Sequence, residues 1–422
     1  MTVRVLHVIT RMILGGAQEN TLLSVEGLHQ RPEYDVDLLS GVDEGLEGEL
    51  LTRARKSVRV IVVPELCRSV SPVADAMALG KLYRAIRAGG YHIVHTHSSK
   101  AGVLGRVAAR LAGAPIVVHT LHSLVFHDYQ PWLVNRALWA AKKACAPMTD
   151  HFISVSEAVR RKALAERIGR PEQHTTIYSG MELDWFLHAA VDGATIRREL
   201  GISLDAPVVG KIARLFPLKG HEQFLDAAPA IVEGSPTVRF LLVGDGVLRE
   251  RLQDRARRLG ILDHFVFAGL VGRERIPAML AAMDVVVHTS LREGLARVLP
   301  QALAMGRPCV TFDLDGAPEV VVPGRTGFLV RPGDTSGLAA AVVQLLQDPA
   351  LRQSMGQEGR RLVDPMFRAE KMVQDIAALY SSLIGRYRRR IERFERRRII
   401  TGKSLEWAKL DQGYGLRRRG KQ

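Results

Sequence analysis

An acidic residue that directly follows a buried strand is the first candidate for chemistry in this 422-residue chain. The run 284–290 contains three consecutive valines and predicts a strand covered on both faces, as in a parallel sheet. Glu293 and Gly294 come next, and apolar residues then recur at helical spacing until Gly306 and Pro308 end the helix. Because open α/β sheets bind ligands beyond the carboxyl ends of their strands, Glu293 is placed as a polar acceptor at a ligand site. A solvated loop carboxylate is the open alternative.

The main chain after this acid is a second candidate. Leu295, Ala296 and Arg297 stand at the predicted start of the helix. The N–H groups of a first helical turn have no partner within the helix and attract anions. We therefore expect these three amides to face a phosphate.

Histidines and glycines follow strands in the first half of the chain. Gly15 and Gly16 come after the predicted strand 3–9 and open a helix, as in a Rossmann-like unit, although no GxGxxG fingerprint is present. We expect this pair to contact the donor. His95 and His97 are two apart on one strand and share a face, so they could form half of a metal site. No third ligand stands out, and hydrogen-bonded polar residues are the more common outcome. His122 follows the next strand.

Strands and helices alternate along the whole chain, which predicts parallel sheets in an α/β fold. The first half ends with a short strand predicted at 176–179, and the pattern restarts with a strand at 207–212. Two units of ordinary domain size are therefore expected.

The order strand, Ser, Glu-Gly, helix, Gly-x-Pro around Glu293 resembles the signature of retaining GT-B glycosyltransferases of family 4. The family pattern has a second Glu eight positions later, where this chain has Gln301. The resemblance implies that Glu293 contacts hydroxyl groups of the donor sugar. It implies a ribose contact for Gln301, which keeps an oxygen acceptor but lacks the charge.

Other motifs of the same family follow in the same order. Arg214 and Lys219 lie in a loop that is similar to the Gly-Arg-Leu and Lys-Gly loop of the family, with Ala213 replacing the glycine. The resemblance implies that both cations neutralise the donor diphosphate, on which negative charge accumulates as the glycosidic bond breaks. It also implies that His122 helps to orient donor or acceptor near the reacting sugar. The alternatives without a functional role are that Arg214 and Lys219 are surface cations and that His122 is an ordinary loop histidine.

The sequence 313–315 reads Asp-Leu-Asp, which in a GT-A enzyme would indicate a carboxylate metal site. We reject that interpretation, because the continuation 316–319 resembles the donor-binding Gly-Gly-x-Pro-Glu loop of family 4, with Asp315 replacing its first glycine. The prediction is therefore that no metal and no cofactor are needed. The nucleotide sugar itself is a substrate.

The resemblance spans about residues 3–385 and implies a GT-B fold. This is an α/β architecture with two Rossmann-like domains facing across a cleft and a C-terminal helix that crosses back to the first domain. We expect an acceptor domain at 1–185, a linker at 186–195, a donor domain at 196–365, the crossing helix at 366–385 and a basic tail at 386–422.

Composition places the protein in a reducing compartment. The three cysteines Cys67, Cys145 and Cys309 have no CxxC spacing and are expected to be free thiols. No apolar run approaches the length of a membrane span, and the amino terminus has no leader pattern. We expect a cytoplasmic protein, peripheral at the inner face of the membrane.

Two segments could contact a membrane. The net charge is +15, of which the tail 386–422 carries +10. Within it Tyr387, Ile391 and Phe394 recur at helical spacing among arginines, which predicts a basic amphipathic helix on an anionic membrane. A solvated extension or a non-specific nucleic-acid contact are the alternatives. The helix 129–145 has an aromatic and basic stripe, with a packed core helix as the alternative; the stripe consists of Trp132, Arg136, Trp139 and Lys143.

The function expected from these features is sugar transfer by a retaining glycosyltransferase. The donor would be a nucleotide-diphosphate sugar, with UDP-sugar favoured and GDP-sugar as the other choice. The acceptor would be lipid-linked or a polysaccharide, in envelope or exopolysaccharide biosynthesis. A GT-B sugar-nucleotide epimerase is one rival, against which the Glu293 region argues. A non-catalytic nucleotide-binding module is the other, motivated by Gln301 and Ala213.

Overall fold

The computed structural model describes residues 2–42 and 49–400. The chain divides into two compact units. The first unit holds the residues up to Gly180 together with those from Ala369 onwards, and the second holds Met181–Arg368.

Within the described residues, the first unit is built on a parallel sheet in the order β3-β2-β1-β4-β5-β6-β7. The strands are β1 Val3–Ile9, β2 Tyr34–Ser40, β3 Arg59–Val62, β4 Ile93–Thr96, β5 Ile116–Leu121, β6 His151–Ser154 and β7 His174–Thr176. The helices are α1 Gly16–His29, α2 Glu49–Ser57, α3 Pro72–Gly89, α4 Ser99–Ala112, α5 Trp132–Cys145 and α6 Glu157–Ala165, with α15 Ala369–Arg386 and α16 Arg388–Ile400 from the end of the chain.

Both faces of this sheet are buried, which is why its strands are continuous apolar runs rather than alternating ones. On β1, Val5 and Ile9 join the core formed with α1, α2 and α15. Leu6 and Val8 point to the other face and join the core formed with α3 and α4. The Rossmann-like organisation that the sequence predicts is confirmed for this unit.

The C-terminal helix α15 returns to the first unit, as the sequence predicts. It packs against α1, where a Cβ on Gly27 would lie only 2.5 Å from Val373, so a glycine is needed for the close approach. Ile376, Tyr380 and Leu383 follow at helical spacing and are buried in the same core. Helix α16 then continues over the same unit.

The second unit repeats the architecture with a parallel sheet in the order β10-β9-β8-β11-β12-β13 among its described residues. The strands are β8 Val208–Ile212, β9 Arg239–Val243, β10 Phe265–Gly269, β11 Val285–His288, β12 Cys309–Phe312 and β13 Gly327–Val330. The helices are α7 Asp184–Leu187, α8 Gly193–Glu199, α9 His221–Gly234, α10 Arg249–Arg258, α11 Ile276–Ala281, α12 Val298–Ala304, α13 Thr335–Gln347 and α14 Pro349–Val363.

Two local differences from the sequence analysis concern this second unit. The segment 186–195, interpreted as a linker, lies inside the unit and includes the end of α7 and the start of α8. The helix after Glu293 begins at Val298 and not near Leu295. The main chain from Glu293 to Arg297 is therefore a loop, and the three amides expected to face a phosphate belong to that loop.

Candidate active site

The candidate site in the second unit lies at the carboxyl ends of two neighbouring strands. Strand β8 leads into the loop 213–220, and β11 leads into the loop 289–297. Because β8 and β11 are adjacent and parallel, their following loops lie at the same edge of the sheet. The structure thus has Glu293 beyond a strand end, as the sequence pattern predicts, and brings Lys219 to the same edge.

Backbone contacts fix the first loop against the second. The carbonyl of Leu218 accepts hydrogen bonds from the main chain of Leu291 at 2.9 Å and from the hydroxyl of Ser290 at 3.1 Å. Gly220 has a φ of 67°, and a Cβ there would lie 1.6 Å from the carbonyl oxygen of Thr289. Only glycine fits this close approach, which accounts for the Lys-Gly pair in the loop and holds Lys219 in place.

Lys219 and Glu293 form an ion pair, with 2.5 Å between Nζ and Oε1. Both side chains are about one quarter exposed, at 25% and 24%. Burial raises the pKa of the Glu293 carboxyl, but the charges of Lys219 and His288 lower it more, and the net pKa lies below the ordinary value. Glu293 is therefore a carboxylate at neutral pH.

Asp315 holds the main chain of Glu293 in place, a role that the sequence analysis did not predict. The Oδ2 of Asp315 accepts a hydrogen bond from the N–H of Glu293 at 2.6 Å. Asp315 has a φ of 54°, a left-handed conformation that glycine, the residue of the family pattern, adopts without strain. The departure from the pattern thus adds a carboxylate that positions Glu293.

Three buried titratable residues, also missed from the sequence, lie beneath the ion pair. Lys211 on β8 donates a hydrogen bond to the hydroxyl of Thr289 at 2.8 Å, and burial lowers its pKa to about 7. His288, which ends β11, is only 6% exposed, and neither ring nitrogen makes a hydrogen bond. Its Nε2 lies 3.7 Å from Oε1 of Glu293. His221 donates to the carbonyl of Arg214 at 2.9 Å. The sequence signal that could have identified this group was Lys211, a charged residue within an otherwise apolar strand.

Arg214 and Gln301 complete the set of predicted residues in this unit. Arg214 is exposed on the same loop as Lys219, with its guanidinium carbon 5.3 Å from the centre of the Phe216 ring. In the described part of the chain its guanidinium makes no ion pair and remains available for an anion. Gln301 lies on α12 and is partly exposed.

The histidines of the first unit meet at the carboxyl ends of β1, β4 and β5. His7 on β1 joins His97 with 3.0 Å between Nδ1 and Nε2, and His97 joins His122 with 3.2 Å between Nδ1 and Nε2. His95 contacts the hydroxyl of Tyr380 at 2.6 Å through Nδ1 and that of Thr120 at 2.7 Å through Nε2. The Tyr380 hydroxyl also lies 3.4 Å from Nε2 of His7.

The structure supplies the third histidine that no sequence pattern indicated, since one ligand atom each of His7, His95 and His97 lies within 4.8 Å of the others. A metal ligand must offer a free lone pair. All six ring nitrogens of these residues are already in hydrogen bonds. We therefore interpret the cluster as a hydrogen-bonded polar core, and the predicted independence from metals stays a prediction.

The glycine pair of the first unit lies where the sequence analysis expects it. Gly15 precedes α1, and Gly16 is its first residue. Gly15 has an extended backbone, with φ 172°, which any residue adopts. The fold therefore does not itself require a glycine there, and the donor contact predicted for this pair stays a prediction.

One pocket of the second unit lies at the opposite edge of the sheet. It has a volume of about 360 Å³ and is lined by Asp284 and by three arginines, Arg307, Arg352 and Arg360. The arginines donate hydrogen bonds to main-chain carbonyls, for example Arg352 to Leu345 at 2.6 Å. Cations that bind the carbonyls of helix C-termini stabilise the fold, and we assign them that role.

The two segments considered for membrane contact differ in the structure. The apolar residues of the tail helix α16 are not on a free face: Tyr387 and Ile391 pack on the core of the first unit, and the Phe394 ring lies 6.1 Å from that of His92. The predicted amphipathic face is thus used within the protein, and residues 401–422 of the tail lie outside the described residues. No helix among those described is long and apolar enough to cross a membrane.

In α5 the predicted stripe is exposed only in part: Trp132 and Arg136 are exposed, whereas Trp139 and Lys143 are partly buried. Trp139 is partly buried and donates to the carbonyl of Glu166, and Lys142 is buried. The exposed apolar surface is instead at the start of the helix, where Trp132 is 66% and Leu133 is 64% exposed. Tyr129 and Val134 extend this surface.

Comparison with known proteins agrees with this organisation. Residues 192–362 match the family described as "Glycosyl transferases group 1", and residues 15–180 match the "Glycosyl transferase 4-like domain". An Escherichia coli protein, "UDP-Gal:alpha-D-GlcNAc-diphosphoundecaprenol alpha-1,3-galactosyltransferase", is 31% identical over 385 residues, covering 90% of this chain and 97% of its own length.

Two further proteins extend the comparison. The Staphylococcus aureus "Capsular polysaccharide biosynthesis glycosyltransferase CapM" is 25% identical over 329 residues, which cover 76% of this chain and 85% of its own. The crystal structure of Anabaena Alr3699/HepE in complex with UDP-glucose matches with a TM-score of 0.76 and 25% identity over 90% of this chain and 99% of that one. The two parallel-sheet units, the motif order and these matches together show that this chain belongs to the group 1 family of glycosyltransferases, enzymes of the GT-B fold.

Proposed function

We propose that this protein is a retaining glycosyltransferase that moves a sugar from a UDP-sugar to a lipid-linked or polysaccharide acceptor. The observation that carries the proposal is the ion pair between Lys219 and Glu293, with Arg214 on the same loop, at the carboxyl edge of the second sheet. Fixed cations stabilise the negative charge that develops on a leaving diphosphate. A carboxylate beside them is placed to accept hydrogen bonds from sugar hydroxyls.

In this mechanism the residues of the second unit hold the donor. Lys219 and Arg214 bind the diphosphate, so Lys219 exchanges its contact with Glu293 for one with a phosphate oxygen. Glu293, freed from that contact but still held through its main chain by Asp315, binds the sugar. The loop amides of Leu295, Ala296 and Arg297 with Gly294 adjoin the same edge.

Retention of the anomeric configuration follows if the acceptor attacks from the face that the diphosphate leaves. Negative charge then moves to the leaving group while the sugar passes through an oxocarbenium-like state, and the cations lower the barrier. In this proposal Glu293 is a ligand of the sugar hydroxyls, and no side chain is assigned as a covalent nucleophile.

The choice of donor and acceptor is supported by relatives. The Escherichia coli relative is named for transfer from UDP-Gal to a diphosphoundecaprenol-linked sugar, and the Anabaena structure is a complex with UDP-glucose. The capsular protein is assigned to polysaccharide biosynthesis. We extend these properties to this chain and place it in envelope or exopolysaccharide assembly.

A membrane-bound acceptor would require contact with the cytoplasmic face of the membrane, and α5 provides a suitable surface. Exposed Trp132 and Leu133 stand at its start, and the helix has no acidic residue. Aromatic and aliphatic side chains beside lysines and arginines are typical of interfacial binding to anionic lipids. This surface replaces the apolar face of the tail as the proposed membrane contact.

The first experiment is a thermal-shift panel with UDP, GDP, ADP and NAD. A ligand that binds only the folded state raises the melting temperature by mass action, about 2.7 kcal/mol of stabilisation at one hundred times Kd. We expect a shift with UDP. No shift with any diphosphate, or a shift with NAD alone, would contradict the proposed donor site.

Transfer assays then separate the rival functions. With UDP-sugars and a lipid-diphosphate-linked acceptor, a transferase forms a product only when the acceptor is present. An epimerase would interconvert the sugar without an acceptor, and a non-catalytic module would bind UDP without turnover. Product analysis by NMR decides whether the anomeric configuration is retained.

A further inference from the structure

A continuous series of hydrogen bonds joins helix α15 of the first unit to His122. The series starts on β5 and passes through β4, α15 and β1. It then continues through the residue after β4 to the loop after β5. In order, the side chains are Thr120, His95, Tyr380, His7, His97 and His122. All except His122 are buried.

The four imidazoles of this series are neutral at pH 7. Burial lowers the pKa of His7 to about 3 and that of His122 to about 3, and the charge of Lys142 lowers the pKa of His122 further in the same direction. Burial also holds the pKa of His95 and of His97 well below the ordinary value. A neutral imidazole has one N–H donor and one acceptor nitrogen, so each ring must donate at one contact and accept at the other.

This requirement leaves two arrangements of protons, which run in opposite directions along the series. In one, the Thr120 hydroxyl donates to Nε2 of His95 and every later group donates towards His122. In the other, His122 donates and every group passes a proton towards Thr120. One ring cannot change its tautomer alone, because its neighbour would then face it donor to donor or acceptor to acceptor.

The Thr120 hydroxyl distinguishes the two directions. Thr120 is 4% exposed, and its hydroxyl makes no other hydrogen bond within the described chain. If His95 donated to it, the hydroxyl proton of Thr120 would be buried without an acceptor, which costs about 1–3 kcal/mol. If Thr120 donates, every buried donor in the series has a partner. The free end is then Nδ1 of His122, whose side chain is partly exposed.

We propose that Tyr380 and Thr120 are positioning residues that fix His122 as the Nδ1–H tautomer, so that His122 donates a hydrogen bond from Nδ1 to an oxygen of a substrate bound at the first unit. The second half of this proposal rests on the proposed function. His122 then acts as a hydrogen-bond donor and not as a base, since its Nε2 lone pair is occupied by His97. Helix α15 thereby affects the bound substrate through the relay and not by direct contact.

The tautomer can be measured directly by long-range proton–nitrogen NMR on the full-length protein labelled with nitrogen-15 histidine, with a His122→Ala variant to assign the signal. In the wild type we expect the neutral Nδ1–H form. In Tyr380→Phe, which removes the relay hydroxyl, we expect His122 to become a mixture of both tautomers. Tyr34→Phe is the matched control, because the Tyr34 ring lies 5.9 Å from that of Tyr380 but its hydroxyl donates to Ala377 outside the series.

The wild-type spectrum alone can overturn the proposal: an Nε2–H or a protonated His122 contradicts it. A His122 signal that stays pure Nδ1–H in a folded Tyr380→Phe protein contradicts the relay. If that variant does not fold, Thr120→Val removes the donor at the other end and is expected to give the same mixture.

A kinetic readout tests the functional half. Tyr380→Phe should lower kcat by about two- to fivefold, in proportion to the lost competent tautomer, with little change in the KM of the donor. Wild-type kcat together with the expected change of tautomer would refute the substrate contact but not the relay. If the wild type shows no transfer activity at all, the proposed function fails while the NMR result still decides the tautomer.

Discussion

Replacing Lys219 by alanine separates the role of this cation in transfer from its role in the fold. The side chain is one partner of the ion pair with Glu293 and lies on a loop that Gly220 fixes to the neighbouring loop. Alanine removes the charge and leaves the loop backbone, whose contacts do not involve the Lys219 side chain.

The expected magnitudes follow from the geometry of the pair. Loss of one preorganised charge at a developing anion lowers kcat by about 10²–10³-fold. Exposed ion pairs contribute about 0–1 kcal/mol, whereas breaking a fully buried pair costs about 3–5 kcal/mol. With both side chains about one quarter exposed, at 25% and 24%, the pair stands between these cases. We expect a loss of about 1–2 kcal/mol, or a few degrees of melting temperature in a unit of this size.

The assay is steady-state transfer from the donor that the thermal-shift panel selects, with UDP affinity measured by calorimetry. The decrease in kcat should exceed the decrease in UDP affinity, because the cation binds the leaving group most strongly when it carries the most charge. Arg361→Ala is the matched control, since Arg361 also pairs with a glutamate at 2.5 Å in the second unit but is 74% exposed. It should retain wild-type kcat.

A double variant tests the reasoning further. In Lys219→Ala the Glu293 carboxyl loses its main stabilising charge, so adding Glu293→Gln should recover part of the lost stability but none of the lost kcat. A turnover of Lys219→Ala close to that of the wild type, or an equal loss in the Arg361 control, would refute the assigned role.

Three further expectations follow from the structure. Gln301→Glu restores the charge of the family pattern and should lower the Kd of UDP about three- to tenfold if this residue accepts from a ribose hydroxyl, because charge-assisted hydrogen bonds are stronger; calorimetry showing an unchanged Kd would argue against that contact. Burial lowers the pKa of His7 to about 3, so between that value and 6.5 the unfolded state binds a proton that the folded state does not. The contribution of this neutral histidine to the free energy of unfolding is therefore fully present above pH 6.5 and decreases below it. Between pH 7.5 and 5.5 the decrease is about 1.4 kcal/mol for each fully buried histidine. Urea titrations of the first unit that give the same midpoint at both pH values would contradict this. Trp132→Ser combined with Leu133→Ser should weaken binding to vesicles that contain anionic lipid by about tenfold or more in sedimentation assays, while Ile399→Ser, which removes an exposed apolar residue from α16, should not; equal binding by all three proteins would remove the α5 surface from consideration.

The parts of the fold that a continuous apolar run specifies were predicted closely from the sequence. The strand predicted at 3–9 has the bounds of β1, and 116–121 those of β5, because strands buried on both faces leave an unbroken apolar signal. The last strand of the first unit was placed at 176–179 but lies at His174–Thr176. It is short and polar at the edge of the sheet, so it carries no such signal.

The candidate site was predicted only as far as each residue depends on its own strand end. Glu293 was predicted at the sheet edge because it closely follows a strand, whereas Lys219 was identified through the family resemblance of its loop. The contact of Tyr380 with His95 joins residues 285 positions apart, and nothing local marks either as a partner of the other. The hydrogen bond from the N–H of Glu293 to the Asp315 carboxylate likewise depends on how two loops approach each other. Sequence spacing describes neighbours along the chain, whereas these contacts depend on the order of strands within a sheet.

The buried lysine of the second unit suggests how the charge of the proposed site adjusts to its donor. Burial and the charge of Lys219 lower the pKa of Lys211 to about 7, while Glu293 acts in the opposite direction. A bound diphosphate adds negative charge above this group and favours its protonated form, so by linkage a protonated Lys211 favours the diphosphate in return. Lys211 thus makes the site more positive when the leaving group becomes more negative, which is the condition for stabilising the transition state more than the bound substrate.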